Sequence, residues 1–163
     1  NVSRQQKTFD MLHVVPPQQA PDVIRRSALA DSAGWFETDP ATLQHPRHPE
    51  IFALGDVCGT PNAKTAAAVR KQVVVVAENL IALRKGAALS KRYDGYGSCP
   101  LTVENGKVIL AEFGYGGKLL PTFPLDPTVA RQSAWFLKAS FLPWFYWQGM
   151  LKGREWFTDC SGN

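Results

Sequence analysis

Ile51-Phe-Ala-Leu-Gly-Asp-Val-Cys-Gly-Thr-Pro-Asn-Ala-Lys-Thr-Ala-Ala-Ala-Val69 is the stretch on which the reading of this chain turns. Residues 51–54 are short and apolar and read as a buried strand, which Gly55-Asp56 end. Residues 64 to about 85 read as a long helix. Its small first residues let a neighbouring backbone or cofactor come close. Val69, Val73, Val76 and Leu80 recur at helical spacing and mark its apolar face. The run Val73 to Val76 is β-branched, which costs helix propensity and leaves a strand as the alternative there. Arg84 and Lys85 suit a last turn, and Gly86 suits the C-terminal cap. A strand, a tight polar turn and a small-residue helix make a good holder for an extended, charged cofactor.

Upstream, Asn1 to Phe9 is polar and predicted to fray. Asp10-Met-Leu-His-Val-Val15 reads as a strand, stopped by Pro16-Pro17 because neither proline can donate to a ladder. Residues 22–29 suggest a short helix, 30–34 a turn and 35–38 a short edge strand. Residues 40–49 form a Pro-bounded loop with His45 and His48. Downstream, residues 101–104 and 107–113 flank Asn105-Gly106 and read as a hairpin, with φ > 0 expected at both turn residues. A Gly- and Pro-rich loop follows over 114–127. Residues 128–140 read as an amphipathic helix, and 142–153 as a second one opened by Pro143, with Trp156-Phe157 closing the ordered part.

The chain has 163 residues, 45% of them hydrophobic, enough for one domain with a core or one domain plus an appendage. The formal charge of +4 is scattered, without the dense basic cluster that phosphate backbones attract, so no nucleic-acid partner is expected. Three cysteines at wide spacing do not form a secreted disulfide framework. They fit a reducing compartment, or a chemistry in which one cysteine works with a group outside this chain. No run is long and apolar enough to span a bilayer. A start at Asn rather than Met suggests an excised piece of a longer protein.

Asp56 can accept from a ribityl or ribose hydroxyl while Gly55 lets the backbone approach; it reads equally as a turn or cap residue. Lys64 and Thr65 open the long helix, whose free N–H groups could face negative charge on a reduced flavin; a plain solvated first turn is the alternative. Cys99 lies in Tyr93-Asp-Gly-Tyr-Gly-Ser-Cys-Pro100, where two glycines bend the backbone and Pro100 stiffens the exit. It is either a reactive thiol or a buried inert one. Cys58 reads as a bystander and Cys160 as accessory. Phe136, Phe141, Trp144, Phe145, Tyr146 and Trp147 belong to an aromatic tail interspersed with Lys138, Lys152 and Arg154. Such a tail suits a membrane surface or an apolar slot for a quinone, or it packs on the rest of the protein. His45 and His48 lack a third ligand, so no metal site is expected. Glu104 and Glu112 have no convincing carboxylate partner for acid–base work.

Several of these stretches resemble the C-terminal part of sulfide:quinone oxidoreductases, flavoproteins of the two-dinucleotide-domain disulfide reductase superfamily. The resemblance runs from about Asp10 to Gly153. It is carried by His13-Val-Val-Pro-Pro17, Gly34-Trp-Phe-Glu-Thr-Asp39 and Ile51-Phe-Ala-Leu-Gly-Asp56, and more specifically by Lys64-Thr-Ala-Ala-Ala68 and Tyr93-Asp-Gly-Tyr-Gly-Ser-Cys-Pro100. The implied fold is an α/β fragment: residues 1–20 end the second dinucleotide-type domain, 21–90 are the last section of the FAD domain, and 91–163 form a quinone- and membrane-associated domain with a β-hairpin and aromatic helices.

The resemblance also implies roles. Gly55 and Asp56 would lie at the flavin ribityl chain, with Lys64 and Thr65 by the isoalloxazine. Cys99 would be one of two redox cysteines that take up sulfide sulfur and pass electrons to FAD. Phe136, Phe141, Trp144, Phe145, Tyr146 and Trp147 would serve the quinone site and membrane docking. Two electrons would pass to a quinone, with no need for nicotinamide. The expected setting is peripheral, on the cytoplasmic or periplasmic face of a prokaryotic inner membrane, with self-association covering exposed edges. No G-x-G-x-x-G fingerprint occurs, and the partner of Cys99 is expected upstream, so the chain alone is expected to be inactive. The rivals are a flavocytochrome c sulfide dehydrogenase subunit, a type II NADH dehydrogenase, and a non-enzymatic membrane module.

Overall fold

In a computed structural model, residues 6–154 are described. The regular elements are α1 (Asp22–Arg25), α2 (Ala66–Arg84), the antiparallel pair β1 (Gly97–Glu104) and β2 (Lys107–Phe113), then α3 (Gln132–Phe136) and α4 (Leu142–Gln148). Helix and sheet are both present, as the α/β reading requires, but the sheet has two strands only. Cys160, Trp156 and Phe157 lie outside the described residues.

Helix α2 organises the rest. Thr65 caps it by accepting from the Ala68 N–H at 3.2 Å, and Gly86 follows the C-terminal cap residue Lys85 at φ +66°, the left-handed conformation that a missing Cβ permits. Its buried stripe is Ala68, Gln72, Val75 and Asn79. This corrects the sequence reading: of the expected stripe Val69, Val73, Val76 and Leu80, Val73 and Leu80 are exposed. The reason is hydrogen bonding. The Asn79 amide donates to the carbonyls of Thr42 (3.3 Å) and Lys91 (2.9 Å) and accepts from the Lys91 N–H (3.1 Å). Gln72 accepts from the Gly55 N–H at 2.8 Å. Irregular loops, rich in unpaired backbone groups, are thereby drawn onto a polar stripe, while the apolar flank of Val73, Leu80 and Ile81 is uncovered among the described residues.

The expected strands upstream of α2 are not formed as strands. Residues 51–54 contribute one bridge, Phe52 to Gln44, and residues 35–38 give bridges from Phe36 to Ala30 and Cys58. Residues 10–15 have no pairing partner in the described chain, and Met11 is 85% exposed. A ladder needs successive paired residues; residues 35–38 and 51–54 make isolated bridges, and residues 10–15 make none among the described residues. The loops still close a core of Phe36, Leu43, Ala53, Cys58, Ala68, Val75 and Tyr93.

The hairpin forms, with two changes: its first strand begins at Gly97 rather than Leu101, which puts Cys99 on the strand, and its turn differs. Gly106 takes φ +75°, but Asn105 does not take positive φ, and a register shift between Thr102 and Glu104 absorbs the turn. The two helices expected after it merge into one run. Arg131 bridges to Val108, so the helix starts at Gln132 rather than near Thr128. A π-helical turn, Leu137–Phe141, joins α3 to α4. Pro143 explains it: the ring lacks an N–H and crowds the carbonyl four residues back, and a widened turn relieves both.

Asn79→Ala leaves three backbone groups unsatisfied and is expected to destabilise the chain by about 3 kcal/mol in denaturant titration. Leu80→Ala, on the uncovered flank, is expected to cost about 0.5 kcal/mol or less.

Candidate functional site

Gly55 stands at φ +72° and opens a single 3-10 turn, Gly55–Val57, which leaves Asp56 exposed. The hydrogen bond from the Gly55 N–H to Gln72 fixes this turn against the first half of α2. Lys64 precedes the cap rather than opening the helix, and its ammonium sits 4.0 Å from the centre of the Trp35 ring. The Thr65 hydroxyl is committed to capping, and the helix dipole adds positive potential in front of Ala66 and Ala67. An exposed carboxylate, a positive-φ glycine and a helix start side by side fit a polyhydroxyl chain leading to an electron-rich ring edge.

The same helix start touches the hairpin. A Cβ on Gly97 would stand 3.5 Å from the Thr65 hydroxyl, and Asn62 hydrogen-bonds the Gly95 carbonyl. Cys99 is therefore two residues along the strand from the N-terminus of α2. It is a half-buried free thiol paired in register with Ala111. Cys58 is the opposite case. It is fully buried, its Sγ donates to the Ala53 carbonyl at 3.3 Å, and burial pushes its thiol pKa up. Cys58 is thus held as the protonated, unreactive thiol, in keeping with its reading as a bystander.

Strand geometry sorts the remaining residues. Successive side chains alternate faces, and partners in register share one. Ser98 pairs with Glu112 and Pro100 with Leu110, so these four share a face; Cys99 and Ala111 share the other. Ser98, Pro100, Leu110 and Glu112 all line a cavity of about 590 Å³ that reaches from Ala66, Ala67 and Arg70 of α2 to Phe141 and Phe145. A second cavity of about 420 Å³ shares Leu110, Glu112 and Phe141 with it and continues past Phe123 and Leu125 to Phe136. The smaller cavity is lined almost wholly by apolar surface, whereas the larger also presents Arg70, Lys71, Asp94, Tyr96 and Thr122. Lys138 ties the aromatic helix to this sheet, donating to the Pro100 carbonyl at 2.9 Å and the Thr102 hydroxyl at 2.8 Å.

The aromatic tail divides. Phe136, Trp144, Tyr146 and Trp147 are exposed, with Trp147 at 61%, whereas Phe145 is 2% exposed. Phe145 lies beneath the Arg70 guanidinium at 5.2 Å and stacks on Phe141 with ring centres 5.7 Å apart. Of the quinone-slot and membrane-surface alternatives for the tail, the position of Phe145 is that of a cavity wall. Among the described residues no helix is long and apolar enough to cross a membrane.

Glu112 is the residue that the sequence reading set aside. It is 3% exposed and accepts hydrogen bonds from the Tyr96 hydroxyl (2.6 Å), the Thr122 N–H (3.1 Å) and the Thr122 hydroxyl. Burial, then the Glu112 hydrogen bond, pushes the Tyr96 phenol up to about 12. The available signal was a single acid inside the apolar run Val108 to Phe113, which marks a carboxylate carried into the interior. His45 is also buried, but its Nδ1 accepts from the Arg47 and His48 N–H groups, which marks it as a loop brace. A thiol-specific aromatic disulfide reagent, followed by peptide mapping, is expected to modify Cys99 in the folded chain and to reach Cys58 only on unfolding.

No protein-family model matches the chain. Curated relatives do. The chain is 46% identical over 145 residues to the mitochondrial sulfide:quinone oxidoreductase of Mus musculus, covering 89% of this chain and 32% of that protein. It is 45% identical over 150 residues to the Dictyostelium discoideum protein of the same name, covering 91% and 33%. For the Schizosaccharomyces pombe protein of that name the identity is 38% over 157 residues, covering 93% and 34%. Among solved structures, a chain in the cryo-EM structure of the Tetrahymena thermophila mitochondrial ATP synthase (F1Fo composite tetramer) matches with a TM-score of 0.70. It is 24% identical and is covered to 32%, against 80% of this chain, and bears on the fold alone. These relatives are named mitochondrial, which gives no support to the expected prokaryotic inner-membrane setting. By sequence the chain belongs to the sulfide:quinone oxidoreductase family, and it spans about a third of the length of the curated relatives it matches.

Proposed function

We propose that this chain is the C-terminal part of a flavoenzyme that oxidises sulfide to sulfane sulfur and passes two electrons through FAD to a quinone. The observation that carries this reading is the two-faced hairpin. Cys99 and Ala111 share one face, and the face with Leu110 and Glu112 lines an apolar cavity of quinone dimensions. The relatives, at 38–46% identity, favour this over flavocytochrome or NADH-linked alternatives.

FAD, when bound, supplies the two-electron relay between the sulfur and the quinone. Asp56 accepts from its ribityl hydroxyls, Gly55 gives the backbone room, and the start of α2 at Lys64 and Thr65 places positive potential at the ring. Cys99 takes up sulfide sulfur together with an upstream cysteine of the complete protein. Phe141 and Phe145 flank the quinone. Phe136, Trp144, Tyr146 and Trp147 rest at the lipid interface as a peripheral, mitochondrial attachment. Residues 1–20 close the second dinucleotide-type domain, 21–90 the FAD domain, and 91–163 form the quinone- and membrane-associated domain. The bare flank of α2 and residues 10–15 meet the remainder of that longer polypeptide or a second copy, and the chain alone is inactive.

In the full-length protein, sulfide is expected to bleach the flavin absorbance and quinone to restore it. Cys99→Ser is expected to abolish the bleaching by sulfide while the flavin stays bound. A full-length protein without flavin, or sulfide bleaching undiminished in Cys99→Ser, overturns the reading.

A further inference from the structure

We propose that Glu112 is the proton-donating residue for quinone reduction, loaded with a proton as the quinone docks. The inference rests on the quinone reading above and deepens it. Three features of the site carry it. Glu112 is the one carboxylate shared by both cavity walls, it is 3% exposed, and Tyr96 and Thr122 hold it in place with three donated hydrogen bonds.

The physical argument is one of complementarity. A quinone carbonyl only accepts hydrogen bonds, and a bare carboxylate also only accepts. Oxygen against oxygen in an apolar cavity is repulsive unless a proton stands between them. Contact with a quinone therefore draws a proton from solvent onto Glu112. When two electrons arrive through the flavin, the carboxyl O–H bond breaks and an O–H bond forms on the quinone oxygen. Glu112 returns to the carboxylate that Tyr96 and Thr122 stabilise. The second proton of the quinol comes from water. The quinone gains two electrons and two protons, and the flavin, when bound, would give up the two electrons and release its own proton to water.

From α2, Arg70 and Lys71 line the same cavity, with Lys71 paired to Asp94 at 2.9 Å and 4.4 Å from the Tyr96 ring centre. From the loop and the start of α3, Asp126 and Arg131 line the adjoining cavity. Lys138, from the π-helical turn, is anchored on β1. Charges of both signs therefore border the two cavities that Glu112 lines.

The test uses the full-length enzyme with a soluble short-chain quinone, measuring flavin reduction by sulfide and flavin reoxidation by quinone separately. In Glu112→Gln the amide N–H still donates to the quinone carbonyl but has no acidic proton to give. Reoxidation kcat is expected to fall about 100-fold with little change in quinone KM, while reduction by sulfide is unchanged. Tyr96→Phe keeps the ring beneath Lys71 and removes one donor from the carboxylate. Glu112 is then held by the two Thr122 donors alone, and reoxidation is expected to slow by less than in Glu112→Gln, with reduction by sulfide unchanged. Glu112→Gln with wild-type reoxidation, equal loss in both half-reactions, or a Tyr96→Phe loss as large as that of Glu112→Gln overturns the inference. A wild-type enzyme that is reduced by sulfide but not reoxidised by quinone overturns the functional reading itself, and this inference with it.

Discussion

The fold depends on two amides buried on one stripe of α2. Gln72 and Asn79 lie one and three turns along a helix whose buried side would otherwise be built from Ala68 and Val75 alone. Through them the helix holds the Gly55 turn, the Thr42 carbonyl and the Lys91 backbone. Each amide meets loop groups that would be left without partners if replaced by an apolar side chain. A small-residue helix start can thus sit beside an irregular loop without a strand ladder to position it.

This constraint passes to the site. Because the Gly55 turn is tied to Gln72, Asp56 is fixed relative to the helix start, and Thr65 is fixed relative to Gly97 by contact. Cys99 follows two residues later on β1, so its distance from the turn is set by the helix rather than by flexible loops. The alternation of β1 and β2 then supplies separation. One face carries the thiol, and the other carries Glu112 and the cavity wall closed by Phe141 and Phe145. A sulfur chemistry and a quinone chemistry both close to a flavin need such a partition, since a reactive thiol and an electrophilic quinone would otherwise add to each other.

Much of this was legible in the residues. Helix α2, its Thr65 start, its Gly86 end and the Asn105-Gly106 hairpin follow from capping and turn chemistry, which are local. The buried stripe of α2 was not legible, because hydrophobic periodicity finds valines and not the polar side chains that loops will satisfy. The segment 10–15 has strand composition but no pairing among the described residues, and 51–54 makes only one bridge; composition records neither. The aromatic tail suits a membrane surface, a quinone slot or packing on the protein, and its sequence does not say which ring turns inward; Phe145 lies under Arg70 while Trp147 is exposed. Glu112 was passed over because a carboxylate partner was sought, whereas its partners are a phenol, a hydroxyl and a backbone amide.

The central claim is that adjacent positions of β2 serve different half-reactions. Leu110 and Ala111 are neighbours in sequence on opposite faces of the hairpin. The decisive measurement compares Leu110→Trp with Ala111→Trp in the full-length protein, following flavin reduction by sulfide and flavin reoxidation by quinone in separate rapid-mixing experiments. The account predicts that Leu110→Trp slows reoxidation and leaves reduction intact, and that Ala111→Trp does the reverse. If both substitutions slow the same half-reaction, the two faces do not divide the chemistry and the account is wrong.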